Sequence, residues 1–391
     1  MAINISKLLS AISAKAVNAD SSQSIIELNR LSQAVTLAND VQHARIYSSL
    51  ASLPTADSSN VGDIVRVGTT LDSDITKYYV SHNDKWKLIT LQDSASIDQT
   101  VAVYSFQGSN YGYASGGYTG SVWTNEIVKY SFTSDGNASD VGDLTVGRSS
   151  TGGNSSSENG YSAGGRTPGY SNVIDKFPFS ADANATDVGD LTTSTEQNAG
   201  QSSSEYGYNS GGLPGASNVI DKFPFATDAN ATDVGDLTVG RYGAGGQSST
   251  DNGYTSGGNP GAVDVIDKFP FSSDGNATDV GNLTQATKQV TGQSSTVSGY
   301  ASGGAVPAST NVISKFPFAT DANATDVGDL TVARFWPGGT SSTASGYTHG
   351  GTSAPTTYLN TIDKFSFSSD ANATDVGDLV TVKHRAAGQQ Y

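Results

Sequence analysis

From about residue 98 onward the chain repeats itself, and this periodicity limits the possible folds more than any other feature. A Gly-Tyr pair recurs with Tyr at 113, 161, 208, 254, 300 and 347, at spacings of 48, 47, 46, 46 and 47. An Asp-Val-Gly-Asp/Asn-Leu element recurs with Val at 141, 188, 234, 280, 327 and 376. In the copy that opens at Arg241, a small-residue segment (Gly243–Ser249) leads into a turn at Thr250–Gly253. Tyr254–Gly258 forms a second short segment, and a loop at Asn259–Gly261 precedes the β-prone run Val263–Phe271. After a turn at Ser273–Asn276, Thr278–Thr284 completes the unit. Four short strands with turn chemistry between them, in about 46 residues, match one blade of a β-propeller. Small residues belong where innermost strands crowd an axis, and Pro270 should end its ladder because it lacks a backbone donor. A β-solenoid with two coils per repeat is the alternative, and it would need caps that the sequence does not display.

The two ends of the array favour a ring. Ten residues separate Leu237 from Gln247, and ten separate Leu379 from Gln389. Arg385-Ala-Ala-Gly-Gln-Gln390 is therefore a seventh copy of the small-residue strand without the rest of a repeat, as expected if it joins the first blade and closes a circle of six. Val101–Ser109 would compete with it or adjoin it.

Upstream, the composition changes twice. Residues 1–52 contain no Gly or Pro. Leu28, Leu31, Val35, Ala38 and Val41 form a helical stripe, with Asp20-Ser21-Ser22 as capping residues and Pro54 ending the run. A helix from Ser21 to Leu50 would be ~45 Å long. Its stripe must be buried by self-association, by docking on another protein, or by folding onto the next domain. In 53–97, Val61–Val67, Lys77–His82 and Lys85–Ile89 alternate as strands of a small antiparallel module. The expected organisation is thus mainly β: an α-helical attachment region (1–52), a small β module (53–97) and a six-bladed propeller (98–391).

These motifs carry a resemblance. Gly-Tyr-x-x-Gly-Gly, the following Val-Ile-Asp-Lys-Phe strand and the Arg that ends several copies (Arg148, Arg241, Arg334) resemble kelch-repeat propellers over about 290 residues. The usual kelch Trp of the last strand is replaced by Val188 or Val234, which makes the array divergent. The Asp-Lys-Phe-Pro-Phe and Asn-Ala-Thr-Asp-Val-Gly-Asp-Leu units look like repeat proteins of marine bacteriophages, particularly cyanophages. Leu53–Val65 with Lys77–Val80 and Lys85-Trp86 is similar to modules of phage tail-fibre and virion proteins. The resemblance implies a non-enzymatic structural protein on the exterior of a phage particle. The helices would bind other virion proteins or make a homo-oligomer, with a trimer expected from fibre precedent, and the propeller would recognise a host-surface glycan. A capsid or neck decoration without a ligand, and a bacterial surface adhesin or lectin, are the alternatives. The adhesin is disfavoured because the N-terminus lacks a continuous apolar signal region.

Composition narrows the chemistry. The charge sum, 21 − 37 = −16, disfavours nucleic acid and anionic membrane surfaces. No cysteine is present, which excludes thiolate metal sites, disulfides and Cys nucleophiles. No stretch of 18 apolar residues offers a membrane span. The four His (43, 82, 349, 384) are scattered, and His349 reads as surface variation at a place where Ser256 stands in another copy. One spacing suits calcium. Asp182, Asn184 and Asp190 provide oxygens at positions 1, 3 and 9 of a loop, as do Asp228, Asn230 and Asp236. No bidentate Glu closes either loop, and the same residues suit a β-turn, which is the favoured reading. The six Tyr of the Gly-Tyr pairs are read as packing between blades rather than as a ligand platform. Binding is expected where the copies differ, in the loops after the double glycine. These loops carry Tyr118, Trp123, Arg166, Tyr170 and Tyr358, and they should gather on one rim.

Overall fold

The computed structural model describes residues 106–353 and 356–391, together with the backbone of four strands further upstream. The chain divides into two compact units, Met1–Val103 and Tyr104–Tyr391. In the first unit Ile46–Tyr47, Ile64–Val67, Lys77–His82 and Lys85–Ile89 form one sheet in that order. The last three strands pair antiparallel, as their alternation predicts. Ile46–Tyr47 pairs parallel with Arg66–Val67, so the expected helix does not run on to Leu50. Ile46 and Tyr47, a β-branched and an aromatic residue, lie beyond Val41, the last residue of the helical stripe, and find a strand partner distant in sequence. The helices expected before residue 46 lie outside the described residues.

The second unit is a six-bladed ring of four-stranded antiparallel sheets. In the second blade Gly152–Ser155 is innermost, followed outward by Asn159–Ala163, Ser171–Pro178 and Thr186–Thr195. The same order recurs in the blades that begin at Ala199, Gly245, Thr291 and Gly338. The first blade is a composite. Its inner strand, Ala387–Gln390, comes from the C-terminus and pairs antiparallel with Tyr111–Ser115, in register from Ala387↔Ser115 to Gln390↔Gly112. This is the expected closure. The adjoining N-terminal segment takes a different place, with the Gly108 amide bonding to the Ser341 carbonyl of the sixth blade. Pro270 ends its strand, as expected of a residue without a donor.

What the copies share is the seam between blades. Each Gly-Tyr tyrosine is about 2% exposed. It packs on a Phe that follows the third strand of the next blade, as in Tyr208–Phe271 at 4.8 Å, and Tyr347–Phe132 at 4.7 Å completes the circle. The apolar core is therefore divided into seams. Tyr208, Ile220 and Leu237 of the third blade pack with Phe269 and Ala277 of the fourth. At the outer edge a Lys of each blade meets an Asp of the next, from Lys129–Asp182 at 2.5 Å round to Lys364–Asp135 at 2.7 Å. Near the axis the Ser202 amide donates to Ser248 Oγ, and the Ser248 amide donates to Ser294 Oγ, in the same rotary sense.

The axis itself is lined with glycine. A Cβ on Gly200 would strike the Gly153 carbonyl oxygen, one on Gly246 that of Gly200, and one on Gly292 that of Gly246. Gly339, Gly388 and Gly153 continue the relation until the ring closes. Inner strands can approach this closely only where neither carries a side chain on the facing position.

Candidate functional site

The loops after the double glycines and the links from each outer strand to the next inner strand lie on the same face of the ring, joined by bridges such as Tyr118↔His384, Ser149↔Arg166 and Glu196↔Leu213. Residues 106–110 lie on the opposite face. There the buried Gln107 donates to the Ser294 carbonyl, and Gln390 donates to the Phe106 carbonyl.

Much of the charge beneath the loop face is structural. Arg148–Asp175 (2.9 Å), Arg241–Asp267 (2.6 Å) and Arg334–Asp363 (2.8 Å) are buried ion pairs, each joining the end of one repeat to the third strand of the next blade. Two other copies vary together. The Arg place holds Thr287 where the Asp place holds Ser314, and it holds Lys383 where the Asp place holds Val128. Lys383 pairs instead with Glu126 at 3.1 Å. A buried ion that loses its partner is expensive, so both change. Asp221 is the exception. Its repeat has Thr195 at the Arg place; Asp221 accepts the Thr192 amide and hydroxyl, and burial pushes its carboxyl above the ordinary range.

Around the axis on the loop face runs a closed circle of backbone hydrogen bonds. The Gln197 amide donates to the Ser150 carbonyl, Gly243 to Gln197, Gln289 to Gly243, Trp336 to Gln289, Arg385 to Trp336, and Ser150 to Arg385, at 2.7–2.9 Å. All six residues have a left-handed backbone, with φ between 54° and 64°. Gly243 occupies that conformation without strain, whereas the other five place side chains there at a cost of roughly 1 kcal/mol or more each. Those side chains line the mouth of an axial cavity of about 120 Å³ whose walls are the glycines of the inner strands.

One sector of the mouth is aromatic and charged. The Arg385 guanidinium lies 3.6 Å above the Trp336 ring. His384 packs between Tyr358 (4.8 Å), Trp336 (5.3 Å) and Tyr118 (5.7 Å), and Tyr118 also contacts Trp123 at 5.3 Å. Burial lowers the His384 pKa to about 3, so the imidazole is neutral at neutral pH, and its Nδ1 lies 3.1 Å from Thr352 Oγ1. Beside this group Arg166 pairs with the buried Glu196 at 3.0 Å and lies over the Tyr170 ring at 5.7 Å.

Of the five rim residues expected from loop variation, Tyr118 and Tyr358 are brought together around His384, and Trp123 packs on Tyr118. Arg166 and Tyr170 form a second pair, coupled through Glu196 and Arg166 to the charge of Arg385. Trp336, His384 and Arg385 were not expected. For Trp336 and Arg385 the signal lay two residues after each Arg148-type position, where six copies carry five different residues: Ser, Gln, Gly, Gln, Trp and Arg.

His349 corrects its reading as surface variation. It is 0% exposed, and burial lowers its pKa to about 3. It has room because position 338 in the facing strand is a glycine, where a Cβ would meet the imidazole. The calcium candidates are engaged in the seams. Asp182 accepts Lys129 and Asp228 accepts Lys176, while the Asn184 and Asn230 side-chain oxygens accept the Asp143 and Asp190 amides. Asp190 and Asp236 each follow the glycine of their repeat, and their amides bond to the next blade. Among the described residues no three His, Cys, Asp or Glu side chains group together as a metal site would need. No protein-family model matches the chain, and no curated protein sequence does.

Proposed function

We propose that the chain is a non-enzymatic virion protein of a bacteriophage, a tail fibre or comparable appendage, whose ring recognises a glycan on the host surface. Support for the phage setting comes from the resemblance of the repeats and of the 53–97 module. One observation carries the binding role. In a ring whose seams are nearly sixfold, the aromatic and charged departures from the repeat converge on one sector of one face, at Tyr118, Trp123, Trp336, Tyr358, His384 and Arg385. Half-buried aromatic rings held by a rigid scaffold suit the apolar faces of sugars. In this reading residues 1–52 attach the protein to other virion proteins and assemble it, a trimer being the expected state. The Asp182-type turns serve the seams rather than calcium.

Glycan-array and host-cell binding by the purified protein test the reading. Binding that is lost on Trp123→Ala with Tyr358→Ala supports it. A protein that binds neither glycan nor host cells is a capsid or neck decoration instead. Deleting residues 1–52 should abolish assembly or incorporation while leaving the ring folded, and unchanged assembly would contradict that division of labour.

A further inference from the structure

We infer that the loop-face mouth is an acidic-saccharide subsite, in which Arg385 binds the carboxylate of a sugar whose ring rests against Trp336, Tyr118 and Tyr358. This deepens the proposed function and rests on it.

The argument starts from Arg385. Among the described residues it takes part in no ion pair: its guanidinium lies over the Trp336 ring at 3.6 Å, and the nearby Glu196, whose charge it feels, is already paired with Arg166. Its Nε is closed off from solvent and has no hydrogen-bond partner, as is true of Arg148 and Arg241, so what sets Arg385 apart is the missing carboxylate. The buried arginines of the ring, Arg148, Arg241 and Arg334, each have an Asp, whereas the half-buried Arg385 has none. Where a copy loses the Arg or the Asp, the fold usually changes the partner too, so an unmatched guanidinium runs against the practice of this chain.

Arg385 is not alone in this. Ser150 Oγ, Gln197 Oε1 and Trp336 Nε1, all on the same circle, are also closed off and without partners, and so is Oε2 of the neighbouring Glu196. Donors and acceptors that are costly to leave unmade therefore surround one cavity mouth. Arg385 and Trp336 also sit in left-handed backbone where the copy with Gly243 needs no side chain at all. Strain and unpaired polarity are both tolerated at the same residues, and a ligand that satisfies the polarity accounts for both.

The chemistry of the ligand follows from the donors. A guanidinium presents a planar fork of N–H groups that matches a carboxylate. Around it the walls are aromatic, with Tyr118, Tyr358 and Trp336 each within 6 Å of His384. Ser150 and Gln197 add a hydroxyl and an amide of the kind that meets sugar hydroxyls. A compact, hydroxyl-rich ring bearing one carboxylate, as in a uronic acid, uses all three features. The net charge of −16 adds selectivity, because repulsion over the rest of the surface favours a place where a guanidinium has no ion-pair partner.

The test uses the full-length protein and the intrinsic fluorescence of its tryptophans, with oligogalacturonate, a neutral malto-oligosaccharide and hexaglutamate as probes. Arg385→Gly and Trp336→Gly are the variants, because Gly243 already occupies the equivalent place, so both should fold with an unchanged or higher Tm. The expected result is that oligogalacturonate binds at least about tenfold more tightly than the neutral sugar and that Arg385→Gly removes this preference. Equal binding of both sugars, unaffected by Arg385→Gly, overturns the carboxylate assignment and leaves glycan recognition standing. Binding of hexaglutamate but of neither sugar overturns the saccharide and, with it, the proposed function. Binding of none of the three overturns the subsite.

Discussion

Asp221 shows how one side chain can set a pH dependence in this ring. The three ion-paired copies provide an Arg for this Asp, whereas Asp221 has only the Thr192 amide and hydroxyl, and burial raises its pKa. A carboxyl raised above its unfolded value contributes stability that is fully present below the unfolded pKa and lost as the pH rises through the folded one. Asp221→Asn removes this loss. The variant should melt higher than the wild type at pH 7, with the difference shrinking towards zero near pH 4, about the ordinary Asp value. A difference that stays constant across that range would show that the carboxyl carries no such penalty. At the same scale, residues differ in how much of their role was legible in the sequence. The Tyr of Gly-Tyr was readable because its spacing repeats. His349 was not, because its burial depends on a glycine in a facing strand, Gly338, rather than on its own neighbours. Arg385 and Trp336 left only a position that varies between copies, because a left-handed φ leaves a trace of itself in sequence only where glycine occupies it, as at Gly243.

Among the strands, the seam explains the repeat. The buried pair Arg241–Asp267 holds the end of one repeat against the third strand of the next blade, and Thr287 and Ser314 show a neutral solution to the same junction. Asp267→Ser alone leaves a buried guanidinium unpaired and should cost about 3–5 kcal/mol. The double variant Arg241→Thr with Asp267→Ser should recover most of that in chemical denaturation, and an additive double variant would contradict the pairing account. Inner strands are as tightly constrained. Gly246→Ala pushes a Cβ into the Gly200 carbonyl oxygen and should destabilise the ring by about 1–3 kcal/mol. The same change at the exposed Gly275, where a Cβ meets nothing within 4 Å, should be nearly silent. Strand number and order were readable from turn chemistry between short β-prone runs. The strand at Ile46–Tyr47 was not, because its partner, Arg66–Val67, is distant in sequence and two residues are too few to show an alternation.

For the whole molecule, closure comes first. The first blade is complete, and its second strand covered on the axis side, only when Ala387–Gln390 pairs with Tyr111–Ser115. Each of the circular relations passes through it or through the seam beside it. The axis glycines pass through Gly388, the serine relay returns from the Gln390 amide to Ser155 Oγ, and the left-handed circle runs from Trp336 through Arg385 to Ser150. The loop face owes its geometry to the same closure, since Tyr118 of the first blade meets His384 of the C-terminal link only when the circle is shut. Amide hydrogen exchange tests this most directly, by comparing peptides that cover 387–390 with those that cover the equivalent inner strand, Ala199–Ser202. The closed ring predicts that the two strands exchange with equal protection, at the rate of global unfolding. Rapid exchange of 387–390 while 199–202 stays protected would show that the circle is open.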